Sequence, residues 1–438
     1  MDPLEICAMK FPEAFLQWVW LHQVFNSEDL KTTDGRIIRV ERPGEWNRGF
    51  GPDFSGARVW IGNQLALGAV EIHVRSSEWF EHGHEKDAAY NSVILHVIDD
   101  DQGQAMCEDG LLPPQLVLRN RVLPQAWNVW THWMRNPDHL SCRNHLSRLS
   151  NPQKEEGWME LRRWQMQERI DSVFQGVAKR QGNWEQAFLG RLFSAWGFHH
   201  HSEPFAEIFQ AIPMALISRL QGNALAMEAL LLGLGRFLDD PQDEYSKSLR
   251  AMFLHLQIAF QLRKISPYPW KNTRLRPSNF PEFRLAQLAA ILNQSPALFG
   301  SILGAKNEKE CLTLLSASPP DYWKTHYRLG KETGEHSPTL GEKSKQILLA
   351  NVFVPFRFAY FERVGHEPEK NGTWKWLEQL PAEENAVTKV FQSTPLKAKN
   401  LGESQTQVYL YQNYCVPKRC FECSFGSQIL HFPPIFEP

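Results

Sequence analysis

The two runs Gly51-Pro52-Asp53-Phe54 and Gly68-Ala69-Val70-Glu71-Ile72-His73-Val74 decide the predicted fold. Between them lie an apolar stretch at 57–61, a Gly62-Asn63 turn signal and a second apolar stretch at 65–67. Apolar stretches on both sides of a two-residue turn containing glycine predict two strands joined by a tight hairpin. We therefore expect Asp53 at the start of the first strand and Glu71 well inside the second.

The alternation of side chains along the second strand separates its polar residues from its apolar ones. Glu71 and His73 fall on one face, and Val70, Ile72 and Val74 fall on the other. Pairing of the two strands would bring the Asp53 and Glu71 carboxylates to neighbouring points of one sheet. A carboxylate and an imidazole on an otherwise apolar strand indicate metal binding, with Asp53 and Glu71 as the ligands.

This arrangement resembles the PD-(D/E)xK nuclease superfamily, which has the restriction-endonuclease-like fold. Pro52-Asp53 and Glu71 match its motif, and His73 stands where a lysine is usual. The resemblance implies that Asp53, Glu71 and His73 are catalytic, with Mg or Mn at the carboxylates. It also implies hydrolysis of phosphodiester bonds in nucleic acid, with DNA as the expected substrate. The whole chain further resembles an uncharacterised bacterial family of similar length.

The order of predicted elements around the hairpin is that of the superfamily core. A helix within 11–30 and a strand at 36–40 precede the hairpin, and a helical segment entered near Gly83 and a strand at 93–98 follow it. One more strand is predicted within 111–118. The resulting fold class is an α/β nuclease-like core with a mixed sheet, followed by a larger mainly α-helical region.

Several residues near the motif have two interpretations each. Lys86 and Tyr90 lie four positions apart and resemble a Gln-x-x-x-Tyr motif of some superfamily members, and Lys86 could replace the absent lysine. A solvated lysine over a tyrosine at the edge of the core is the alternative. Glu41 or Glu45 could supply a third acidic ligand, or could be an ordinary solvated carboxylate.

Two other functions remain open beside the nuclease. The core could be a degenerate nuclease fold that acts as a nucleic-acid-binding or scaffold protein, because the usual lysine is absent. Alternatively the histidines could form a metal centre of a different kind of metalloprotein. That cluster would consist of His73, His82, His84 and His96.

From Trp127 onward the pattern changes to amphipathic helices, predicted at 158–178, 184–197, 204–220, 222–238, 244–264 and 371–413. The expected division is a nuclease-like domain at 1–130, a helical domain at 131–400 and a cysteine-containing segment at 401–438. Basic and aromatic residues are interleaved at 263–277, which is typical of a nucleic-acid surface. Lys271, Arg274 and Arg276 are the candidate phosphate contacts, and a proline-rich connector is the alternative.

Three cysteines lie close together in a polar segment near the end of the sequence: Cys415, Cys420 and Cys423. Zinc and iron–sulfur sites both use four such ligands, and Cys142 is the candidate fourth. The layout of one distant cysteine and a C-terminal trio resembles the iron–sulfur staple of some nucleases, while zinc stays possible. Cys7, Cys107 and Cys311 are interpreted as isolated structural cysteines.

Composition sets the remaining expectations. The 438 residues suffice for two or three domains, and the net charge of −2 means that any nucleic-acid surface is local. The N-terminus lacks the pattern of a signal peptide, and the longest apolar run, 224–238, is too short to span a membrane. We therefore expect a cytoplasmic protein with no membrane partner, whose seven cysteines form no disulfide framework.

Overall fold

The computed structural model describes residues 11–430 except 48–49, 124–125, 128–129, 132, 134–135, 137, 199, 271–272, 274, 296 and 421. The chain divides into two compact units. Unit 1 takes in 1–160, 393–396 and 409–438, and unit 2 takes in 161–392 and 397–408. The domain boundaries expected near residues 130 and 400 remain a prediction, because they concern which segments fold independently.

Unit 1 is built on a mixed six-stranded sheet. The strands of that sheet are β1 (Ile38–Arg42), β2 (Glu45–Trp46), β3 (Phe54–Ile61), β4 (Gln64–Arg75), β5 (Val93–Asp100) and β6 (Gln115–Val117). Their order across the sheet is β1-β3-β4-β5-β6, and β2 pairs with β3. β1 and β4 each pair with β3 in antiparallel orientation, whereas β5 pairs with β4, and β6 with β5, in parallel. The predicted mixed sheet is therefore present.

The predicted hairpin is the β3–β4 connection. Ile61 pairs with Gln64 across the turn, and Gly62 has a φ of +61°, the left-handed conformation that glycine adopts without strain. Helix α1 (Glu13–Leu21) precedes the sheet and buries Phe15, Trp18 and Val19, as the spacing of the apolar residues predicts.

The predicted helix from Gly83 to Tyr90 is wrong. After the four-residue helix α2 (Glu78–Glu81), the chain forms two separate 3₁₀ turns, His84–Lys86 and Ala88–Ser92. Asp87 lies between the two turns in an extended conformation, and its side chain accepts a hydrogen bond from the backbone N–H of Ala89. This local bond competes with the helical pattern, as short polar side chains commonly do.

The chain outside the sheet is mainly helical, as predicted. Among the residues that the structure describes without interruption, the further α-helices are α3 (Asn151–Ala178), α4 (Trp184–Trp196), α5 (Ser202–Gln210), α6 (Met214–Arg219), α7 (Ala224–Leu234), α8 (Glu244–Phe260), α9 (Pro281–Gln294), α10 (Leu298–Gly304), α11 (Glu308–Thr313), α12 (Glu342–Leu348), α13 (Val354–Arg363), α14 (Glu367–Lys375), α15 (Ala386–Phe391), α16 (Leu401–Leu410) and α17 (Ser424–Leu430). A short hairpin, β7 (His326–Arg328) with β8 (Lys331–Glu332), lies before α12. Among the described helices none is long and apolar enough to cross a membrane.

Turn residues set the limits of these helices. The single helix expected at 204–220 is two, because Pro213 caps α6 and cannot continue α5. The side chains of Asn183, Asn223 and Asp243 accept backbone N–H groups at the starts of α4, α7 and α8. Such caps satisfy N–H groups that the first helical turn leaves without partners.

Helix α7 is the central helix of unit 2, since every residue from Ala226 to Leu234 is buried. A Cβ at Gly233 would lie 2.1 Å from the Phe253 ring of α8, so only glycine permits this close approach. Glu228 is the one ionisable residue in that buried stretch and is 1% exposed. Its carboxyl accepts hydrogen bonds from the Tyr245 hydroxyl (2.9 Å) and from Trp323 Nε1 (2.8 Å).

Burial raises the pKa of Glu228 from 4.5 to about 7. Between pH 4.5 and about pH 7 the folded protein therefore retains a proton on Glu228 that the unfolded chain has already released. The stabilising contribution of Glu228 is complete below its unfolded pKa and is lost as the pH rises through its folded pKa. We predict that Glu228→Gln, which mimics the protonated form, removes this loss.

The measurement is the unfolding free energy of wild type and Glu228→Gln from about pH 5 to about pH 8. The unfolding free energy of the variant minus that of wild type should increase by about 3 kcal/mol over this pH range. Glu244→Gln in α8 is the control, because that side chain is 91% exposed and its substitution should leave the pH profile unchanged. A difference that is constant with pH would contradict the prediction.

Candidate metal centre

The β3–β4 pairing brings the Asp53 and Glu71 side chains together. Phe54 pairs with Val70, so Asp53 and Glu71 are the next residues along each strand. The backbone N–H of Asp53 donates to Glu71 Oε2 (2.9 Å), and the backbone N–H of Ile72 donates to Asp53 Oδ2 (3.0 Å). Each carboxylate is thus held by the backbone of the other strand, which fixes its orientation.

Helix α1 adds a third carboxyl group that the sequence analysis missed. Gln17 Nε2 donates to Asp53 Oδ1 (2.9 Å) and to Glu13 Oε1 (3.3 Å), so Gln17 bridges the two acids. The available signal was the polar pair Glu13 and Gln17 at i, i+4 in a helix whose other residues are largely apolar. It could be interpreted only once the helix was known to face Asp53.

The acidic residues that were considered as a third ligand lie elsewhere. Glu41 pairs with Arg58 (3.2 Å), and Glu45 is an exposed residue that pairs with Arg42. Their surroundings are those of ordinary surface ion pairs. The third carboxyl group near Asp53 therefore comes from Glu13.

The three carboxyl groups share a poorly solvated pocket, and their pKa values reflect it. Burial, followed by the charge of Glu71, raises the pKa of Asp53 to about 7. Burial raises the pKa of Glu71 to about 8, and burial together with the charge of Asp53 raises the pKa of Glu13 to about 7. Burial and mutual repulsion thus disfavour ionisation of all three groups together, and a compensating positive charge would relieve this.

Histidines surround the Glu71 side of this pocket. His73 Nδ1 lies 2.9 Å from His96 Nε2, and His73 Nε2 lies 3.2 Å from His82 Nδ1. One ring nitrogen from each of His73, His82 and His84 can be chosen so that all three lie within 4.8 Å of one another. Imidazole nitrogens this close together are a potential set of metal ligands.

The histidine group adjoins the carboxylates directly. Glu71 Oε1 lies 3.3 Å from His84 Nε2 and 3.6 Å from His73 Nε2. His84 Nε2 is buried and makes no hydrogen bond to any residue that the structure describes. The Glu71 carboxylate therefore faces an imidazole nitrogen that has no other polar partner in the described structure.

Burial disfavours the protonated form of the buried histidines in this group. Burial and the neighbouring imidazoles hold the pKa of His73 far below its usual range, and burial lowers that of His96 to about 3. Trp79 packs edge-on against His73 and His84 with centroid distances of 6.4 and 5.5 Å, forming an apolar wall. Neutral imidazoles offer a lone pair to a metal without first losing a proton.

Lys86 and Tyr90 lie in two separate 3₁₀ turns, so they do not share the helix face that the motif interpretation requires, and Lys86 is the solvated lysine of the alternative. Its side chain is 82% exposed and pairs with Glu85 (3.2 Å). Tyr90 is buried, and its ring stacks on His84 with a centroid distance of 3.8 Å. Of the two residues, only Tyr90 contributes to the wall of the site.

The four candidate thiols all belong to unit 1, and all are buried: Cys142, Cys415, Cys420 and Cys423. They are close enough for their charges to interact. Burial, and then the charge of Cys423, raises the pKa of Cys142 and of Cys415 well above the usual range and that of Cys420 to about 12. The six cysteines in the described part of the chain form no disulfide.

Hydrogen bonds hold the C-terminal segment against the loop before Cys142. Lys418 Nζ donates to the carbonyl oxygen of Asn136 (2.9 Å), to the Ser141 hydroxyl (2.8 Å) and to the carbonyl oxygen of Asp138. The segment thus returns to a fixed place beside residues more than 270 positions earlier in the chain. Three thiols distant in sequence from Cys142 become its neighbours.

The basic segment gives less information. Lys271 and Arg274 lie outside the described residues, and Arg276 is exposed immediately before a 3₁₀ turn, Pro277–Asn279. The assignment of these three residues to nucleic-acid binding therefore stays a prediction.

A family model described as "Protein of unknown function (DUF2851)" matches residues 13–386. The chain belongs to this family. The matched part of the DUF2851 chain includes the carboxylates and the histidines but ends before the C-terminal cysteines. No curated protein and no solved structure matches the chain. The family match carries no evidence for the nuclease superfamily.

The packing around Cys420 leads to a prediction about the fold of this DUF2851 protein. A Cβ at Gly426 in α17 would lie 1.9 Å from the carbonyl oxygen of Cys420, so the backbone must shift if any side chain is added. We predict that Gly426→Ala lowers the unfolding free energy by roughly 1–3 kcal/mol. Chemical denaturation of the purified variant measures this loss.

Gly176→Ala is the matched control, because Gly176 lies in α3 with nothing within 4 Å of its added Cβ. That change should be neutral or slightly stabilising, since alanine favours helices more than glycine does. Equal stability of Gly426→Ala and wild type would show that the close approach to Cys420 is not formed.

Proposed function

We propose that the pocket formed by Glu13, Asp53 and Glu71 binds a divalent metal and hydrolyses phosphodiester bonds of nucleic acid, with DNA as the first substrate to test. The observation that carries the proposal is the grouping of three poorly solvated carboxyl groups around the start of β3 and the middle of β4. Each is supplied by a different element, which is typical of an assembled site. Acidic residues on an ordinary protein surface are solvated separately and are not grouped in this way.

The charge balance of the pocket supports a metal. In the described part of the chain, no lysine or arginine lies within ion-pair distance of Asp53 or Glu71. Carboxylate oxygens are the hard ligands that Mg²⁺ and Mn²⁺ prefer. A divalent cation would supply the positive charge that the pocket lacks, and it would displace the protons that the raised pKa values retain.

The topology supports the restriction-endonuclease-like classification. A helix precedes three antiparallel strands, and the next strand, β5, joins β4 in parallel. This is the order that the resemblance to PD-(D/E)xK nucleases implies. The connection between β4 and β5 departs from it, because it consists of α2 and two 3₁₀ turns instead of a long helix.

When bound, the metal would polarise the scissile phosphate and lower the pKa of a coordinated water. Asp53 and Glu71 would hold it, and Glu13 is placed to complete the acidic set. Gln17 and the Ile72 N–H keep the Asp53 carboxylate in one orientation. Substrate would therefore meet a site that needs little rearrangement.

The structure favours a different histidine for proton transfer from the one first expected. Both ring nitrogens of His73 lie within hydrogen-bonding distance of other histidines, and its side chain is 1% exposed. His84 Nε2 makes no hydrogen bond within the described chain, and it faces Glu71. We assign to His84 the role of accepting a proton from the attacking water. We assign to His73 the role of positioning the neighbouring histidines, His82 and His96.

The alternative of a histidine metalloprotein has its own support. His73, His82 and His84 form a compact group of nitrogen ligands, and such ligands favour manganese, iron or zinc over magnesium. The nuclease proposal and the histidine metalloprotein alternative predict different active metals and different substrates. A degenerate nuclease fold that only binds nucleic acid would show binding without any metal-dependent cleavage.

We predict that the purified protein cleaves nucleic acid with Mg²⁺ or Mn²⁺ and that Asp53→Asn lowers the rate about a thousandfold or more, because a first ligand is lost. Cleavage is measured by gel assay on single- and double-stranded DNA and on RNA, with and without chelator. Glu81→Gln is the control, since Glu81 is an exposed residue that pairs with Arg75.

Asp53→Asn that cuts as fast as wild type would refute the carboxylate site. Absence of cleavage with every substrate and metal would refute the nuclease, and retained binding would then favour the degenerate fold. Binding of one zinc or manganese that His84→Ala abolishes and Asp53→Asn leaves intact would favour the histidine metalloprotein.

We propose that the four cysteines hold a second, structural metal group, either an iron–sulfur cluster or zinc. Buried thiols with raised pKa values gain most from a cation that stabilises their thiolates. Zn–S bonds of about 2.3 Å would bring four sulfur atoms to roughly 3.8 Å from one another. The resemblance of the cysteine layout to the iron–sulfur staple of some nucleases is the reason for placing the cluster ahead of zinc.

The expected result is iron and sulfide in protein purified without oxygen, detected by visible absorption and elemental analysis. Cys420→Ser should lose the metal and lower the melting temperature, because the metal closes a very long loop. Cys311→Ser is the control for metal content, since Cys311 is a buried cysteine in the apolar core of unit 2 and is not one of the four proposed ligands. Stable protein that contains neither iron nor zinc would contradict the proposal.

A further inference from the structure

The imidazoles of the histidine group lie around one side of the Glu71 carboxylate. Glu71 and His73 are alternate residues of β4, so they project from the same face of the sheet. His82 and His84 reach them because Gly83, with a φ of +76°, turns the chain between the two histidines. The ring centroids of His73, His82 and His84 are pairwise 5.1, 5.3 and 5.5 Å apart. Four candidate ligands thus come from two segments of unit 1.

Three distances between candidate ligand atoms match the edges of a tetrahedral zinc site. His73 Nε2 lies 3.2 Å from His82 Nδ1. Glu71 Oε1 lies 3.3 Å from His84 Nε2 and 3.6 Å from His73 Nε2. Zn–N and Zn–O bonds of about 2.0–2.2 Å separate the ligand atoms of a tetrahedron by roughly 3.3–3.6 Å. The side chains therefore need little movement to take up the ion.

A fourth histidine, His96, supports this set of ligands from behind. His96 Nε2 lies 2.9 Å from His73 Nδ1, and both side chains are buried. A His73 Nδ1–H group that donates to His96 leaves the lone pair of His73 Nε2 directed at His82 and Glu71. Outer-shell hydrogen bonds of this kind fix the tautomer and the orientation of a metal-binding imidazole.

His84 gives independent evidence for a ligand at this place. Its side chain is only 8% exposed, and its buried Nε2 makes no hydrogen bond to any residue that the structure describes. Buried polar atoms without a hydrogen bond are rare in folded proteins, and a bound metal would supply the missing partner. Three imidazole nitrogens and one carboxylate oxygen are a donor set that favours zinc over magnesium.

We propose that His73, His82, His84 and Glu71 form a zinc site, and that zinc bound there inhibits cleavage at the carboxylates. The second part rests on the nuclease activity proposed above, in which His84 accepts a proton from the attacking water. Zinc would take the lone pair of His84 Nε2 that this proton transfer needs. It would also hold Oε1 of Glu71, which belongs to the carboxylate pocket. In contrast to the histidine metalloprotein, zinc here regulates the site and does not supply its activity.

Zinc alone is the first probe, titrated into the protein in competition with a chromophoric chelator. His82→Ala should lower the zinc affinity about a hundredfold or more, because even the hydrogen-bond partners of a ligand contribute about ten- to hundredfold. His82 is the exposed member of the group, so its loss disturbs the packing least. His255→Ala, which removes an exposed histidine of α8, is the control and should bind zinc as wild type does. Zinc held by the four cysteines is common to all three proteins and cancels in the comparison.

The second probe is cleavage with Mg²⁺ at rising zinc concentration, where each protein is compared with its own zinc-free rate. Saturating zinc should slow wild type and His255→Ala about a hundredfold, the contribution of a general base, and His82→Ala should need correspondingly more zinc.

Equal zinc affinity of wild type and His82→Ala would overturn the site. Cleavage by wild type that saturating zinc leaves unchanged or accelerates would overturn the inhibition. Wild type that cleaves nothing with Mg²⁺ would refute the nuclease and the inhibition together. The zinc affinities would still decide the site, which would then belong to the histidine metalloprotein.

Discussion

The register between β3 and β4 is the constraint on which the candidate site depends. The pairing of Phe54 with Val70 places the Asp53 N–H against Glu71 and the Ile72 N–H against Asp53. A slip of one residue would exchange the faces of β4 and move Glu71 away from Asp53. The Gly62-Asn63 turn sets the register next to the hairpin, and an irregularity between Phe54 and Ala57 shifts that register by one residue before Asp53 is reached. The turn and this irregularity together fix the positions of the two carboxyl groups.

Much of the sheet could be predicted because its signals are local. A turn dipeptide between apolar runs determined the hairpin, and the alternation along β4 placed Glu71 and His73 on one face. The alternation did not reveal that both faces would be covered, since Glu71, Ile72 and His73 are all buried. Burial of the polar face depends on how α1 and the segment around Trp79 pack against β4, which the alternation along β4 does not encode.

The features that escaped prediction are those that depend on distant or competing interactions. Glu13 enters the site only because α1 packs near Asp53, which no periodicity in α1 reveals. The α-helix expected after Gly83 does not form, because the Ala89 N–H donates to the Asp87 side chain and not to a backbone carbonyl oxygen of a helical turn. The clustering of four cysteines could be suggested by their number and polar surroundings, but the role of Lys418 in anchoring the tail required the structure.

The connectivity of the two units has a consequence for synthesis on the ribosome. The chain leaves unit 1 after residue 160 and contributes its last segment to that unit only from residue 409. Unit 2 can therefore collapse while the nascent chain is still growing, whereas unit 1 waits for its final strip of sequence. Contacts of such long sequence separation form slowly. During that interval Cys142 and the loop that receives Lys418 are without their partners, so the surface that the C-terminal segment later covers stays open to solvent until that segment is made.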